Sequence, residues 1–526
     1  MTDRELLADA AGRIADRAVE SARVLTDAGA ATDDHQVVVD RVAYAATEAR
    51  VIRELAEAPA ELAEVAFVAA AELAAAIPHR LAPVAPALGF GELRYDDAAR
   101  AAIASGIAPA AVEAIGVAAI ASAGRIAWPL DEMLSEVRAN VRAFAEREVA
   151  PHAERIHHHD ELVPERFITE MAQLGYFGLS IPEAYGGHEL GNLAMILTTE
   201  ELSRASLAAA GSLITRPEIL AKALIAGGTE TQKRTWLPKL AAGEVMAAIS
   251  VTEPNTGSDV ASVACRAERV VGGWAITGAK AWCTFAGRAD VIAVLARTGD
   301  GAGSRGLTLF IVDKPRFDGH EFAVAQPAGG TLTGTADRTP GYRGMHSFSI
   351  AFENWLVPEA QLVGGDAGIG RGFALQMAGF AAGRLQTGGR ACGVTLAAVE
   401  QTARYVAERK QFGRAIGDYG LTRYHLGRMV SRLVAARAIT YAAARAMDGD
   451  ERAAAPLAAM AKLFACDVAV EVTQLGQLLH GGWGYAEEYP ISRYVADAQV
   501  LPIFEGVKPI LALKVVGRAL LARAAT

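Results

Sequence analysis

The spacing of apolar residues changes period twice along this chain, and that change limits the fold more than any single motif does. From residue 249 to about 357, glycine turns separate short alternating runs. Leu307, Leu309 and Ile311 alternate with Thr308 and Phe310, and Phe348, Ile350 and Phe352 alternate with Ser347, Ser349 and Ala351. Period two sends successive side chains to opposite faces of a strand, so this stretch reads as a β domain. Before it, Leu130, Met133, Leu134, Val137, Val141 and Phe144 recur at three- and four-residue steps, one apolar stripe of an amphipathic helix. Helices are expected from Pro129 to about Ala247, with a loop at 181–187 marked by Pro182 and Gly186-Gly187. The helical period returns after Gly370 and persists. Residues 1 to about 125 are Ala-rich and read as short helices broken near Pro78, Pro83 and Pro86 and again near Gly106. They carry no chemical constellation. The expected fold class is mainly α with a central β domain, divided at 1–126, 127–247, 248–366 and 367–526.

Composition removes some functions. A net charge of -9 argues against a nucleic-acid surface, which needs clustered Lys and Arg. Cys265, Cys283, Cys392 and Cys466 have neither metal nor redox spacing, as suits a reducing cytoplasm. The opening residues mix acids and bases where a signal peptide needs a basic start and an apolar run. Apolar stretches such as 62–76 contain Glu64 and Glu72 and are too short to span a bilayer. His157-His158-His159 offers ligand nitrogens but reads more simply as a solvated helix end, so no metal is expected.

Two segments are long enough to be specific. Val251-Thr252-Glu253-Pro254-Asn255-Thr256-Gly257-Ser258-Asp259 opens the β domain. His480-Gly481-Gly482-Trp483-Gly484-Tyr485 lies near the end, followed by Glu488, Arg493 and Asp497. In this order, around this pattern of helices and strands, they resemble the two signatures of the acyl-CoA dehydrogenase family. The resemblance covers about residues 127 to 526. It implies that family's fold: a helical domain, a β-barrel domain and a C-terminal four-helix bundle, here with an N-terminal helical extension. It also implies FAD as cofactor, an acyl-CoA substrate and electron-transfer flavoprotein as the electron-accepting partner.

The chemistry explains which residues matter. Desaturating a thioester needs a base for the weakly acidic α proton, donors at the thioester oxygen, and a hydride acceptor that no side chain provides. Glu505, in Pro502-Ile503-Phe504-Glu505-Gly506, matches the family's base, and the apolar run around it is expected to raise its pKa by desolvation. The family's alternative base position, just before Arg384, holds Gly383, which has no side chain. Trp282-Cys283-Thr284 resembles the flavin segment: the indole walls the ring and the Thr284 hydroxyl approaches the hydride-accepting nitrogen. The same resemblance implies that the backbone from Ile249 through Val251, with Thr252, lines the ring and ribityl chain, and that Ser258 matches a position between flavin phosphate and substrate. Arg409, Gln411 and Phe412 resemble a segment that reaches the FAD pyrophosphate of a neighbouring subunit, which implies a dimer or a dimer of dimers. Gln477, Gly481 and Gly482 are carried over to the cofactor, and Arg384 and Gly506 to the substrate. Gly420, Leu478, Val507 and Ala381 depart from the family pattern. The first three bear on the AMP half of FAD and the cross-subunit contacts, the last on one CoA contact.

Within the family, the extension and the runs at 281–290, 341–347 and 484–488 resemble members acting on (2S)-methylsuccinyl-CoA, which becomes mesaconyl-CoA in the ethylmalonyl-CoA route. A free carboxylate on the substrate requires a cation or strong donors. Arg216 is the first candidate and His346 the second, and each also reads as a surface or helix-end charge. Isobutyryl-CoA, glutaryl-CoA, a flavin oxidase or monooxygenase, and a non-catalytic interaction protein remain alternatives.

Overall fold

The computed structural model describes residues 1–91, 93–299, 301 and 303–522. Five helices come first: α1 (Asp3–Leu25), α2 (Gln36–Ala56), α3 (Ala63–Leu81), α4 (Asp97–Gly106) and α5 (Pro109–Ala121). Six follow: α6 (Glu132–Phe144), α7 (Ala150–His159), α8 (Glu165–Gln173), α9 (Gly191–Ala205), α10 (Thr215–Gly227) and α11 (Glu230–Ala241). The strands are β1 (Ala247–Ser250), β2 (Arg266–Val270), β3 (Gly273–Thr284), β4 (Val291–Arg297), β5 (Leu307–Asp313), β6 (Glu321–Ala325), β7 (Thr331–Ala336) and β8 (Ser347–Pro358). The chain then returns to helices α12 (Gly372–Glu408), α13 (Gly420–Gly449), α14 (Glu451–His480) and α15 (Ile491–Ala498). The expected order of helices, strands and helices is present. Two compact units result, one of 1–136 with 387–526 and one of 137–386.

In the first unit the N-terminal helices share a core with the C-terminal ones. A capping box starts α1, where Thr2 Oγ1 accepts from Glu5 N–H at 3.3 Å and the Glu5 carboxylate accepts from Thr2 N–H at 2.6 Å. Leu7, Val42, Ile52, Leu55, Leu73 and Ile77 are buried, each contributing about 1.5–3 kcal/mol. Helix α5 lies against α13 at backbone contact. A Cβ on Gly116 would meet Arg423 O at 2.0 Å, and one on Gly427 would meet Val112 O at 2.0 Å. Only glycine at both positions permits that approach. Glu72 on α3 pairs with Arg428 on α13 at 3.3 Å.

One expected break is absent. Pro78 lies inside α3 rather than ending it. A proline cannot donate to the carbonyl four residues back, and here the Tyr95 hydroxyl donates to Ala74 O at 2.8 Å in its place. Helix α14, with the turn after it, is long and apolar enough to cross a bilayer by composition, yet 72% of its most apolar window is buried within the protein.

The second unit joins helices to one sheet in the order β1-β4-β2-β3-β8-β7-β6, with β5 beside β4. Leu220, Leu224, Leu237 and Leu240 pack on Val291, Ile311 and Val363. Strand β8 alternates as expected, with Phe348, Ile350 and Phe352 buried. Strand β5 differs, because both of its faces are covered. Thr308 shares a hydroxyl bond of 2.7 Å with Thr298 and accepts from Gly370 N–H at 3.0 Å. Phe310 meets Trp274 edge-on at 5.7 Å. Alternation of residue size there does not mark a solvent face.

Candidate active site

The base candidate stands on strained backbone. Glu505 has φ +54 and Gly506 has φ +103, two consecutive left-handed residues. For a residue with a Cβ this costs of order 1–2 kcal/mol, and such strain collects at functional positions. The turn is held from two helices of its own unit. Lys462 on α14, 1% exposed, donates to Gly506 O at 2.6 Å. Arg390 on α12 places Nη2 2.9 and 3.0 Å from the two Glu505 oxygens. The Thr387 hydroxyl donates to Oε2.

The expectation that an apolar run surrounds Glu505 therefore needs correction. Ile503 is 61% exposed, and Phe504 carries the Arg390 guanidinium 4.6 Å above its ring. The carboxylate side chain is 6% exposed, but its neighbours are a cation and a hydroxyl, which satisfy a buried charge that hydrocarbon would not. Sequence reasoning missed Thr387 and Arg390. A signal existed: an Arg in the apolar run 388–392, three residues after a Thr, puts both on one helix face.

The flavin candidate lies in the second unit, at the end of β3. Trp282 has φ +57 and Phe285 φ +71, with a register shift against β8 between Lys280 and Cys283. The shift turns the indole outward, leaving it 58% exposed, while Cys283 is fully buried. Thr284 and Ser347 share a hydroxyl bond of 2.9 Å in which either can donate. When Ser347 donates, the Thr284 proton is available to a ligand. An uncovered flat wall with a hydroxyl two residues on fits a flavin ring.

The first signature is tied to this strand by a buried ion pair that sequence reasoning also missed. Lys280, fully buried, donates to Glu253 at 2.9 Å and to Val251 O at 3.0 Å. Glu253 in turn accepts from the N–H groups of Ala264 and Cys265 at 2.7 and 2.8 Å. Ala281 N–H donates to Thr252 O at 2.9 Å. Thr252 thus lies alongside β3, half-buried, while Ile249 is half-buried on β1, Val251 is buried and Ser258 is exposed.

Arg216 is 6% exposed in the first turn of α10, so it is not a surface charge. Burial pushes the Cys283 thiol up to about 12, against the opposing pull of Ser250 and of the Arg216 cation. Arg384, on α12, is 9% exposed. His346 is buried and has φ +42, and its Nε2 lies 3.1 Å from Asp160. Burial holds its imidazole below the ordinary value, against the opposing pull of Asp160.

The remaining cofactor candidates lie in the first unit. Arg409, Gln411, Gly481 and Gly482 line one open cleft with Tyr405, His480 and Trp483. His480 forms its floor, stacked on Tyr405 at 4.1 Å and donating Nδ1–H to Gly476 O at 2.7 Å. Gln477 is turned to Gly484 O at 3.0 Å, and Phe412, at φ +50, is 95% exposed beyond the cleft.

Comparison with known proteins gives a consistent result. Residues 131–244 match the N-terminal domain model of the acyl-CoA dehydrogenase family, residues 248–355 its middle domain and residues 370–521 its C-terminal domain. The (2S)-methylsuccinyl-CoA dehydrogenase of Cereibacter sphaeroides is 41% identical over 394 residues, which is 74% of this chain and 70% of that one. The mitochondrial 2-methylacyl-CoA dehydrogenase of Solanum tuberosum is 34% identical over 395 residues, 74% and 91% of the two chains. The structure of butyryl-CoA dehydrogenase from Megasphaera elsdenii matches with a TM-score of 0.69 at 29% identity, covering 75% of this chain and 100% of that one.

Proposed function

The chain belongs to the acyl-CoA dehydrogenase family, flavoprotein oxidoreductases acting on the CH–CH group of acyl-CoA thioesters, and from that premise we propose that it oxidises (2S)-methylsuccinyl-CoA to mesaconyl-CoA. The observation that carries this reading is the buried guanidinium of Arg216, in a chain 41% identical to an enzyme named for that substrate. A substrate carboxylate stripped of water needs a fixed cation.

FAD, when bound, supplies the acceptor for the hydrogen leaving the β carbon as hydride. Glu505 takes the α proton. Arg390 and Thr387 fix the direction of its carboxylate, and Lys462 fixes the turn beneath it. Trp282 walls the ring and Thr284 donates to it. Ile249, Val251, Thr252 and Ser258 line the cofactor's length, while Arg384, Ser258 and Gly506 hold the thioester and its CoA arm. The Arg409, Gln411, Gly481 and Gly482 cleft takes the pyrophosphate and AMP half of a partner subunit's FAD, so the working unit is a dimer or a homotetramer. The exposed Phe412 suits burial at such an interface. Electrons pass on to electron-transfer flavoprotein. The enzyme works in the cytoplasm, in the ethylmalonyl-CoA pathway.

The test is anaerobic. Methylsuccinyl-CoA, butyryl-CoA, isobutyryl-CoA and glutaryl-CoA are mixed in turn with the yellow protein and its Arg216→Met variant, and flavin bleaching is followed. Bleaching by methylsuccinyl-CoA that is lost in the variant is the expected result. Bleaching only by another thioester discards the substrate and keeps the reaction.

A further inference from the structure

Apart from the base and flavin segments, one cluster among the described residues brings metal-ligating atoms together from three separate segments of the second unit. Asp160 ends α7, His320 lies just before β6, and His346 lies just before β8. One ligand atom from each falls within 4.8 Å of the others. We propose that Asp160, His320 and His346 bind one divalent transition-metal ion of the zinc class.

Gly344 O, 3.3 Å from His346 Nδ1, can only accept, so it suits the tautomer with the proton on Nδ1. In that tautomer Nε2 and Asp160 Oδ1, 3.1 Å apart, both offer lone pairs to an ion held between them. A backbone carbonyl that fixes the tautomer, leaving the other nitrogen to the metal, is the usual outer shell of a histidine ligand. Two bonds of about 2.0–2.1 Å meeting at roughly 100° span 3.1 Å, which zinc accepts. His320, with its ring 4.5 Å from that of His346, supplies the third ligand and is exposed, which leaves the ion an entry path. Imidazole and carboxylate select zinc-class ions over calcium or magnesium, which prefer oxygen alone.

Two further features describe the site's setting. Arg343 Nε lies 3.5 Å from the same Asp160 oxygen while donating elsewhere to Thr339 O and His157 O. Its charge weakens cation binding and keeps the site exchangeable. His346 O accepts from Phe285 N–H at 2.8 Å, and the next residue, Ser347, bonds Thr284. The ion is therefore a clamp on the loop that supports the Trp282 to Phe285 segment, and it takes no part in the redox step.

The experiment uses tag-free holoenzyme, treated with a chelator and titrated calorimetrically with zinc chloride, with thermal unfolding as a second reading. Wild type is expected to bind one ion per chain and to melt at higher temperature with zinc present. His320→Gln changes an exposed side chain and is expected to weaken binding by roughly 100-fold or more, since even outer-shell losses cost 10- to 100-fold. Replacing His157, His158 and His159 together with alanine should leave binding unchanged. Absence of saturable binding, or binding that survives His320→Gln, overturns the proposal.

Discussion

Glu505 and Trp282 both sit on left-handed backbone, at φ +54 and φ +57, yet their side chains are held in opposite ways. The carboxylate is 6% exposed and is fixed by Arg390 and Thr387 at its tip. The indole is 58% exposed, and its support lies behind it, in the Lys280–Glu253 pair and the buried Cys283. A charge must be met by partners wherever it is buried, so the base side of the chemistry is built around its reactive atoms. A flat wall works by being uncovered, so the flavin side is built around the strand and leaves the face empty. The rule that follows is that substitutions at the tip should change rate, while substitutions behind the strand should change stability.

The sharpest break is Glu505→Gln. It should keep the yellow flavin and slow its anaerobic reduction by substrate by roughly 10²- to 10⁴-fold, the range a positioned base supplies. Ordinary turnover in that variant removes Glu505 from the chemistry. Next in size is Lys280→Met, which strands a buried Glu253. The expected loss is about 3–5 kcal/mol of stability in denaturant unfolding, together with weakened flavin retention. A stable variant that loses only rate contradicts the division drawn above. Thr387→Val removes one bond to a charged acceptor and should cost about 1.5–3 kcal/mol, or roughly 10- to 100-fold in kcat/KM, with Thr387→Ser restoring most of it. The smallest effect is an expected silence. Burial pushes the Cys265 thiol up to about 11 and those of Cys283 and Cys466 up to about 12. The thiolate is the reactive form, so at about pH 8 the native protein should resist a thiol-titrating reagent that labels it readily once unfolded. Fast labelling of Cys283 in native protein means that the strand behind Trp282 opens.

Much of the architecture was legible because it rests on periodicity. Phe348, Ile350 and Phe352 fall on the buried face of β8 and Leu307, Leu309 and Ile311 fall on strand β5 as their spacing demands, while only the structure shows that Thr298 and Trp274 cover the other face of β5. Pro78 was read as a break because sequence alone does not reveal that Tyr95 replaces the missing donor. At the site, the resemblance pointed to Glu505, Trp282 and Thr284, residues adjacent to recognisable motifs. It did not point to Arg390, Lys462 or Lys280, whose partners lie 115, 44 and 27 residues away.

Sequence by itself determined which stretches are helix and which are strand, because hydrophobic period and turn chemistry are local properties, and it determined the family, because two signatures stand in order. Tertiary structure alone decided which charges are buried and what meets them. Arg216 is a buried guanidinium rather than a surface one, and His346 faces Asp160 rather than solvent. The free energy of a buried charge depends on neighbours brought from distant parts of the chain, and no local pattern encodes that.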